Sequence, residues 1–238
     1  MSELIFQKQG YLKEFDCKII EVNKEENAVI LDKTAFYPGG GGQPCDVGLL
    51  KTSTNEYVIK KVKKKGKNIY HYIDAKLPNI DEDCIGKIDW DHRYKLMRTH
   101  TAMHILCGIV WRDYKAQVTG GNMEPLKGRM DFEFENLDKD LIKEIEEKVN
   151  KEVENKRNIN VNILKREEAF QIPDLIRTKI NLLPEGINEI RTIEIEGLDL
   201  QADGGTHVKN TGEVGKIKVV DYKSKGKINK RLYIELED

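Results

Sequence analysis

Two histidines, His100 and His104, stand four positions apart in the run MRTHTAMHIL, residues 97 to 106. On a helix this spacing puts both side chains on one face, with Cβ atoms about 5–6 Å apart. Two imidazoles so placed can share one Zn2+ at about 2.0–2.1 Å per bond. The residue after His100 is Thr101, so the metalloprotease pattern, which needs Glu there as general base, is excluded. The chain has five histidines, and a third, His207, ends a Gly-Gly-Thr turn in LQADGGTHVKNTGEVG. Glycines at such a turn let backbone approach a bound group closely. Asp203 and His207, with three residues between them, form a second pair, and a carboxylate oxygen is an acceptable zinc ligand at about 2.0–2.2 Å. The histidine pair alone fits helix packing as well as it fits a metal; His71 and His92 have no comparable setting.

The first pair must be held by a helix. In DWDHRYKLMRTHTAMHILCGIVWRDY, Leu96, His100, His104, Cys107 and Trp111 recur at spacings of four, four, three and four, which is one helical face, and Asp89 or Asp91 can cap its start. Upstream, from Leu12 to about Ile88, the chain offers strand-length runs such as CKIIEV, NAVILDKT and YVIKKVKKKGKNIYHYI, with KKKGKN as a hairpin turn. Several short strands without a covering helix must close on themselves to bury a core, which predicts a small β-barrel. Downstream, AQVTGG and GRMDFEFEN read as strands, the latter with Met130, Phe132 and Phe134 alternating. Asp138 to Arg157 reads as a helix with Leu141, Ile142, Ile145, Val149 and Val153 on one stripe. NINVNIL and EIRTIEIEG read as strands, REEAFQ as a short helix, and GKIKVVDYKSKGKINKRLYIELE as a closing hairpin. The expected class is α+β: a barrel domain over residues 1–88 and an α+β domain with an antiparallel sheet over 89–238.

Composition bounds the function. The 238 residues include 40 Lys or Arg against 41 Asp or Glu, a formal net charge of -1, so a nucleic-acid surface would have to be local. No run approaches a membrane span and the N-terminus lacks a basic region followed by a long apolar run, which predicts a cytoplasmic protein. Cys17, Cys45, Cys84 and Cys107 are scattered, as reduced thiols are. TAFYPGGGGQP lacks the Lys-Ser/Thr ending of a phosphate-cradling loop, so no nucleotide cofactor is expected.

Three segments in this order, TAFYPGGGGQP, RTHTAMHIL and DGGTHVKNTGEVG, resemble the editing region of alanyl-tRNA synthetase and its free-standing relatives, the alanyl-tRNA editing proteins. The resemblance runs from about Thr34 to the C-terminus. The chain is too short for an aminoacylation domain and has no long C-terminal extension, so it is most similar to the medium-length class, a β-barrel followed by the editing domain shared with threonyl-tRNA synthetase. The family pattern around zinc is H-x-x-x-H plus C-x-x-x-H. His100 and His104 match the first pair and His207 the last histidine, but the cysteine position is Asp203. Three arrangements are open: Asp203 ligates; the metal keeps three protein ligands and water with Asp203 behind them; or Cys107 reaches in from the helix.

The resemblance implies hydrolysis of the ester joining serine, or sometimes glycine, to alanine-specific tRNA, with one Zn2+ per chain activating water or orienting substrate. With all three histidines assigned to metal, none is left as the base of a covalent mechanism. Discriminating serine from alanine requires a group that hydrogen-bonds the hydroxyl. Thr119 matches the family position for this, Gln117 neighbours it on an extended chain, and Gln43 in the glycine-rich loop would shape the pocket or place water; turn-forming roles for Thr119 and Gln43 compete. For tRNA phosphates, KKVKKKGK (residues 60 to 67) and KSKGKINKR (223 to 231) are basic runs, either of which is equally a solvated hairpin. Lys225, Lys227, Lys230 and Arg231 are preferred because they lie in the editing domain. The same chemistry on another mischarged tRNA, or a tRNA-binding module without catalysis, are the alternatives.

Overall fold

Short runs of alternating apolar and polar residues make the N-terminal part almost entirely of strands: β1 (Glu3–Leu4), β2 (Glu14–Asn23), β3 (Ala28–Leu31), β4 (Lys33–Thr34), β5 (Gly48–Thr52), β6 (Glu56–Lys65), β7 (Asn68–Ile73) and β8 (Asp83–Ile88). The computed structural model describes residues 2–134, 136–176 and 186–237. In β2, Phe15, Cys17 and Ile19 are buried and the residues between them exposed, the period of two that a half-covered strand imposes. Six strands close into a barrel in the order β2-β3-β7-β6-β5-β8, as the sequence predicts. Ile19, Leu31, Leu50, Ile59, Val62 and Ile69 fill it and are fully buried. Each contributes about 1.5–3 kcal/mol of transfer free energy.

The expected hairpin joins β6 and β7 through Gly66 and Lys67, with Lys65 opposite Asn68. Gly66 has φ +57°, the left-handed conformation that the first position of a two-residue hairpin loop demands. The glycine-rich loop is anchored by a buried ion pair. Arg93 Nε donates to Asp46 Oδ1 at 2.7 Å, its Nη2 also meets Asp46 Oδ2, and its remaining donors reach the carbonyls of Gly10 and Ala35 at 2.9 and 2.6 Å. A buried charge pair is tolerated only with such complete satisfaction.

The chain divides into two units, Met1–Lys95 and Leu96–Asp238. The long helix α1 (Trp90–Tyr114) begins in the first and runs on in the second; of the two candidate caps it uses Asp89, whose Oδ1 accepts from His92 N at 3.1 Å. The second unit holds β9 (Val118–Glu124), β10 (Lys127–Glu133), α2 (Lys139–Glu154), β11 (Ile159–Lys165), α3 (Arg166–Ala169), β12 (Glu189–Ile195), β13 (Asp199–Ala202), β14 (Lys216–Ser224) and β15 (Asn229–Glu237). One antiparallel sheet has the order β14-β15-β10-β9, another β11-β12-β13, so the class is α+β. Met103 of α1 lies against Gly121 and Gly128 of the first sheet. The expected apolar stripe packs α2 inward through Ile142, Ile145 and Val149, and Asp138 caps it by accepting from Leu141 N at 2.9 Å. Among the described residues no helix is long and apolar enough to cross a membrane.

Candidate metal centre

One face of α1 presents His100 and His104 on successive turns, and the next position on that face is Gly108. A Cβ at Gly108 would stand 3.0 Å from Leu198 Cγ and 3.1 Å from Asp199 Cβ, so the glycine lets the start of β13 lie directly against the helix. From β13 the chain turns through Asp203. Asp203 N donates to the Arg191 carbonyl at 3.1 Å, Arg191 Nη1 donates back to the Asp203 carbonyl at 2.9 Å, and Gly205 N donates to Asp203 Oδ2 at 2.7 Å. This fixed turn brings His207 back beside the helix.

The four groups named from the sequence converge. One ligand atom from each of His100, His104, Asp203 and His207 lies within 4.8 Å of every other. His207 Nε2 is 3.1 Å from Asp203 Oδ2 and His100 Nε2 is 3.6 Å from Asp203 Oδ1. The rings crowd one another, with centroids 4.2 Å apart for His100 and His207, 4.7 Å for His104 and His207, and 5.0 Å for His100 and His104. A tetrahedron with zinc bonds of about 2.0–2.1 Å has edges of about 3.3 Å, so the set needs only a modest contraction to close on an ion. Cys107 is buried and is not one of the converging groups.

Each histidine also has a polar group beside it. His207 Nδ1 is 3.1 Å from Thr101 Oγ1, which accepts from Val208 N at 3.3 Å. His100 is hydrogen-bonded to the Thr206 backbone. His104 Nδ1 is buried, 3.3 Å from Asp199 Oδ2 but not aligned with it as a hydrogen bond. A carboxylate or carbonyl behind the imidazole is what fixes the ring and tautomer of a metal-binding histidine. Burial and the cluster's own charges shift all four groups. Burial pushes His100 down to about 4, with Asp203 opposing, and burial together with the neighbouring His100 holds His207 well below its ordinary value. Burial also works against His104, but Asp199 and then Asp203 outweigh it and raise that ring. Burial alone would raise Asp203, yet the surrounding histidines hold its carboxyl well below the usual range. Neutral His100 and His207 beside an ionised Asp203 are in the protonation state that ligation requires, whereas His104, whose proton Asp199 and Asp203 favour, would have to release it to ligate. Thr101, Asp199, Gly108 and Arg191 were not singled out by sequence; Asp199, four residues before Asp203, resembles any surface acid until the fold places it.

The other named residues each have a local setting of their own. Thr119 is the extra residue of a bulge in β9, where Asp131 pairs with Gly120 and Phe132 with Val118, and its hydroxyl donates to Asn229 Oδ1 at 3.1 Å. It is therefore a strand residue whose side chain the bulge re-aims. Gln117 is exposed, and its carbonyl accepts from Glu133 N at 3.0 Å. In the barrel unit, Gln43 is buried and pairs with Gly40 through two backbone hydrogen bonds of 3.1 and 2.9 Å. The four cations expected on the closing hairpin differ. Arg231 is committed to Asp131 through bonds of 2.6 and 2.7 Å, and Lys230 Nζ donates to the Gly226 and Lys227 carbonyls at 2.9 Å each. Lys225 and Lys227 are exposed and, among the described residues, make no ion pair.

Residues 7–92 match the family model described as tRNA synthetases class II (A), and residues 190–233 match the threonyl and alanyl tRNA synthetase second additional domain. The chain is 43% identical over 238 residues to the alanyl-tRNA editing protein AlaX-M of Saccharolobus solfataricus, with 98% of each chain covered. It is 38% identical over 246 residues to AlaX-M of Methanosarcina acetivorans, with both chains covered in full. The alanine-tRNA ligase of Ignicoccus hospitalis is 38% identical over 222 residues, which span 91% of this chain and 24% of the ligase.

Proposed function

The chain belongs to the alanyl-tRNA editing protein family, and from that premise we propose that it hydrolyses, in trans, the ester joining serine or glycine to the terminal ribose of alanine-specific tRNA. The reading that His100, His104, Asp203 and His207 hold one zinc ion rests on their convergence within 4.8 Å, the single observation that carries the mechanism. Bound there, zinc supplies Lewis acidity toward an ester carbonyl and acidifies water. Water adds to the carbonyl carbon, the bond to the ribose oxygen breaks, and the products are the free amino acid and a ribose hydroxyl. No nucleotide takes part, and the protein acts in the cytoplasm.

The chain's own groups do the orienting. Asp199, Thr101 and the Thr206 backbone lie beside the three imidazoles and would orient each ring toward a shared metal ion. Thr119 discriminates serine: with its proton given to Asn229, its oxygen remains an acceptor for the substrate hydroxyl, which alanine lacks. Gln43 and Gln117 are assigned to substrate or water placement on family resemblance.

The test is hydrolysis of Ser-, Gly- and Ala-charged alanine tRNA by metal-replete, chelator-treated and zinc-restored protein. Loss of the serine ester that disappears with the metal and returns with zinc is the expected outcome. Failure of fully metallated protein to turn over any of the three would favour a tRNA-binding module in which aspartate in place of the family's cysteine has abolished catalysis.

A further inference from the structure

The β6–β7 hairpin concentrates charge that the editing centre does not use. Lys60, Lys61, Lys63, Lys64, Lys65 and Lys67 are all exposed. A register shift between Ile59 and Lys61 makes Lys60 the extra residue. Beyond it Lys61 stands opposite Tyr72, Lys63 opposite Tyr70 and Lys65 opposite Asn68, while Val62 between them is buried in the barrel. Two of the six charges are spent, Lys60 on Asp74 at 2.6 Å and Lys65 on Glu26 at 2.6 Å. Among the described residues Lys61, Lys63, Lys64 and Lys67 make no ion pair. The tyrosines are part of the same surface. Lys61 Nζ lies 5.1 Å from the Tyr72 ring centroid and Lys65 Nζ 5.4 Å from that of Tyr70, and Tyr72 Oη donates to Glu26 Oε2 at 3.0 Å, which ties the ring down.

Like charges close together on a sheet oppose folding. The chain as a whole is nearly neutral, with 40 basic against 41 acidic residues, so acidic partners for the other four lysines were available, yet among the described residues none pairs with them. Two unspent ammonium groups on alternate residues, Lys61 and Lys63, about 6.6 Å apart along the strand, suit a ligand that repeats negative charge on a similar scale. Partly exposed aromatic planes between such cations suit nucleobases. The closing hairpin of the other unit is the weaker candidate, because Arg231 is already paired with Asp131 of β10 and Lys230 bonds carbonyls within the hairpin.

We infer that the outer face of the β6–β7 hairpin, formed by Lys61 and Lys63 with Tyr70 and Tyr72 and flanked at the hairpin's tip by Lys64 and Lys67, binds the phosphate backbone of the tRNA. This rests on the editing reading for the identity of the polyanion. The salt dependence of binding tests it, because each cation lost from a phosphate contact makes the slope of log affinity against log salt shallower by about 0.7–0.9. Uncharged alanine tRNA is titrated at several KCl concentrations with the unmodified protein, Lys61→Gln/Lys63→Gln, Lys61→Arg/Lys63→Arg, and Lys139→Gln/Lys143→Gln, the last removing equal charge from exposed positions on α2. The expected result is a slope shallower by about 1.5 and roughly tenfold or more weaker binding at low salt for the first variant alone. An unchanged slope for Lys61→Gln/Lys63→Gln, or an equal loss in the α2 variant, overturns the inference. Circular dichroism of the glutamine variant excludes unfolding, and the arginine variant must bind as the unmodified protein does. Failure of the editing reading shows separately, as absent deacylation of Ser-tRNA by protein that still binds tRNA.

Discussion

A carboxylate oxygen is a harder and less electron-donating ligand than a thiolate, so Asp203 predicts a zinc ion held less tightly and left more Lewis-acidic than the family's cysteine would leave it. Asp203→Cys is expected to tighten zinc binding in a chelator competition, and Asp203→Ala to weaken it by about 100-fold or more, beyond what loss of an outer partner costs. Asp199 is placed to act as such an outer partner if His104 ligates. Its Oδ2 lies 3.3 Å from His104 Nδ1, so Asp199→Asn keeps the shape, removes the charge, and should raise the zinc dissociation constant by about 10–100-fold in the same assay. An unchanged constant would mean that Asp199 serves packing alone. The four converging residues were legible because histidine is scarce in this chain and the spacing of His100 and His104 has a geometric meaning on a helix. Asp199 was not legible. Its role depends on a contact across elements, and nothing in GLDLQAD separates it from a solvated acid.

Helix spacing, caps and strand alternation are local properties, and the elements they predict are present: α1 starts at the Asp89 cap, α2 at Asp138, and β6 turns at Gly66. Close approach between elements is not local. Gly108 looks like a helix residue of poor propensity, and replacing it with alanine would gain about 0.8–1.0 kcal/mol on that ground alone. The added Cβ, however, would meet Leu198 Cγ at 3.0 Å and Asp199 Cβ at 3.1 Å. The second of these atoms sits next to backbone and cannot swing aside, so overpacking at about 1–3 kcal/mol outweighs the propensity gain. Gly108→Ala is therefore expected to lower the melting temperature and, by displacing Asp199 from His104, to weaken zinc binding. A higher melting temperature with unchanged metal affinity would show that β13 moves away at no cost. The bulge that makes Thr119 the extra residue of β9 escaped the sequence for the same reason, since it is a relation between β9 and β10.

At the scale of the whole molecule the near-neutral composition says little about stability, which depends on where ionisable groups are buried. His71 is the clearest case outside the metal centre. It is fully enclosed in the barrel unit, with Nε2 2.9 Å from Thr34 Oγ1 and Nδ1 3.3 Å from the Val29 carbonyl, and burial pushes it down to about 4 from 6.5. Above pH 6.5 the ring is neutral whether the chain is folded or not, and its full contribution to stability is present. As the pH falls from 6.5 toward 4 the unfolded chain takes up a proton that the folded barrel refuses, so stability is lost over that window by about 3 kcal/mol. Below about 4 both states are protonated and this loss stops growing. His71→Gln keeps donor and acceptor groups for Thr34 and Val29 but cannot titrate. Denaturant unfolding of both proteins at pH 7, 6, 5 and 4.5 cancels the groups they share, and the stability advantage of the histidine protein should shrink steadily through the series. Parallel profiles would mean that the barrel admits a proton to His71 without opening.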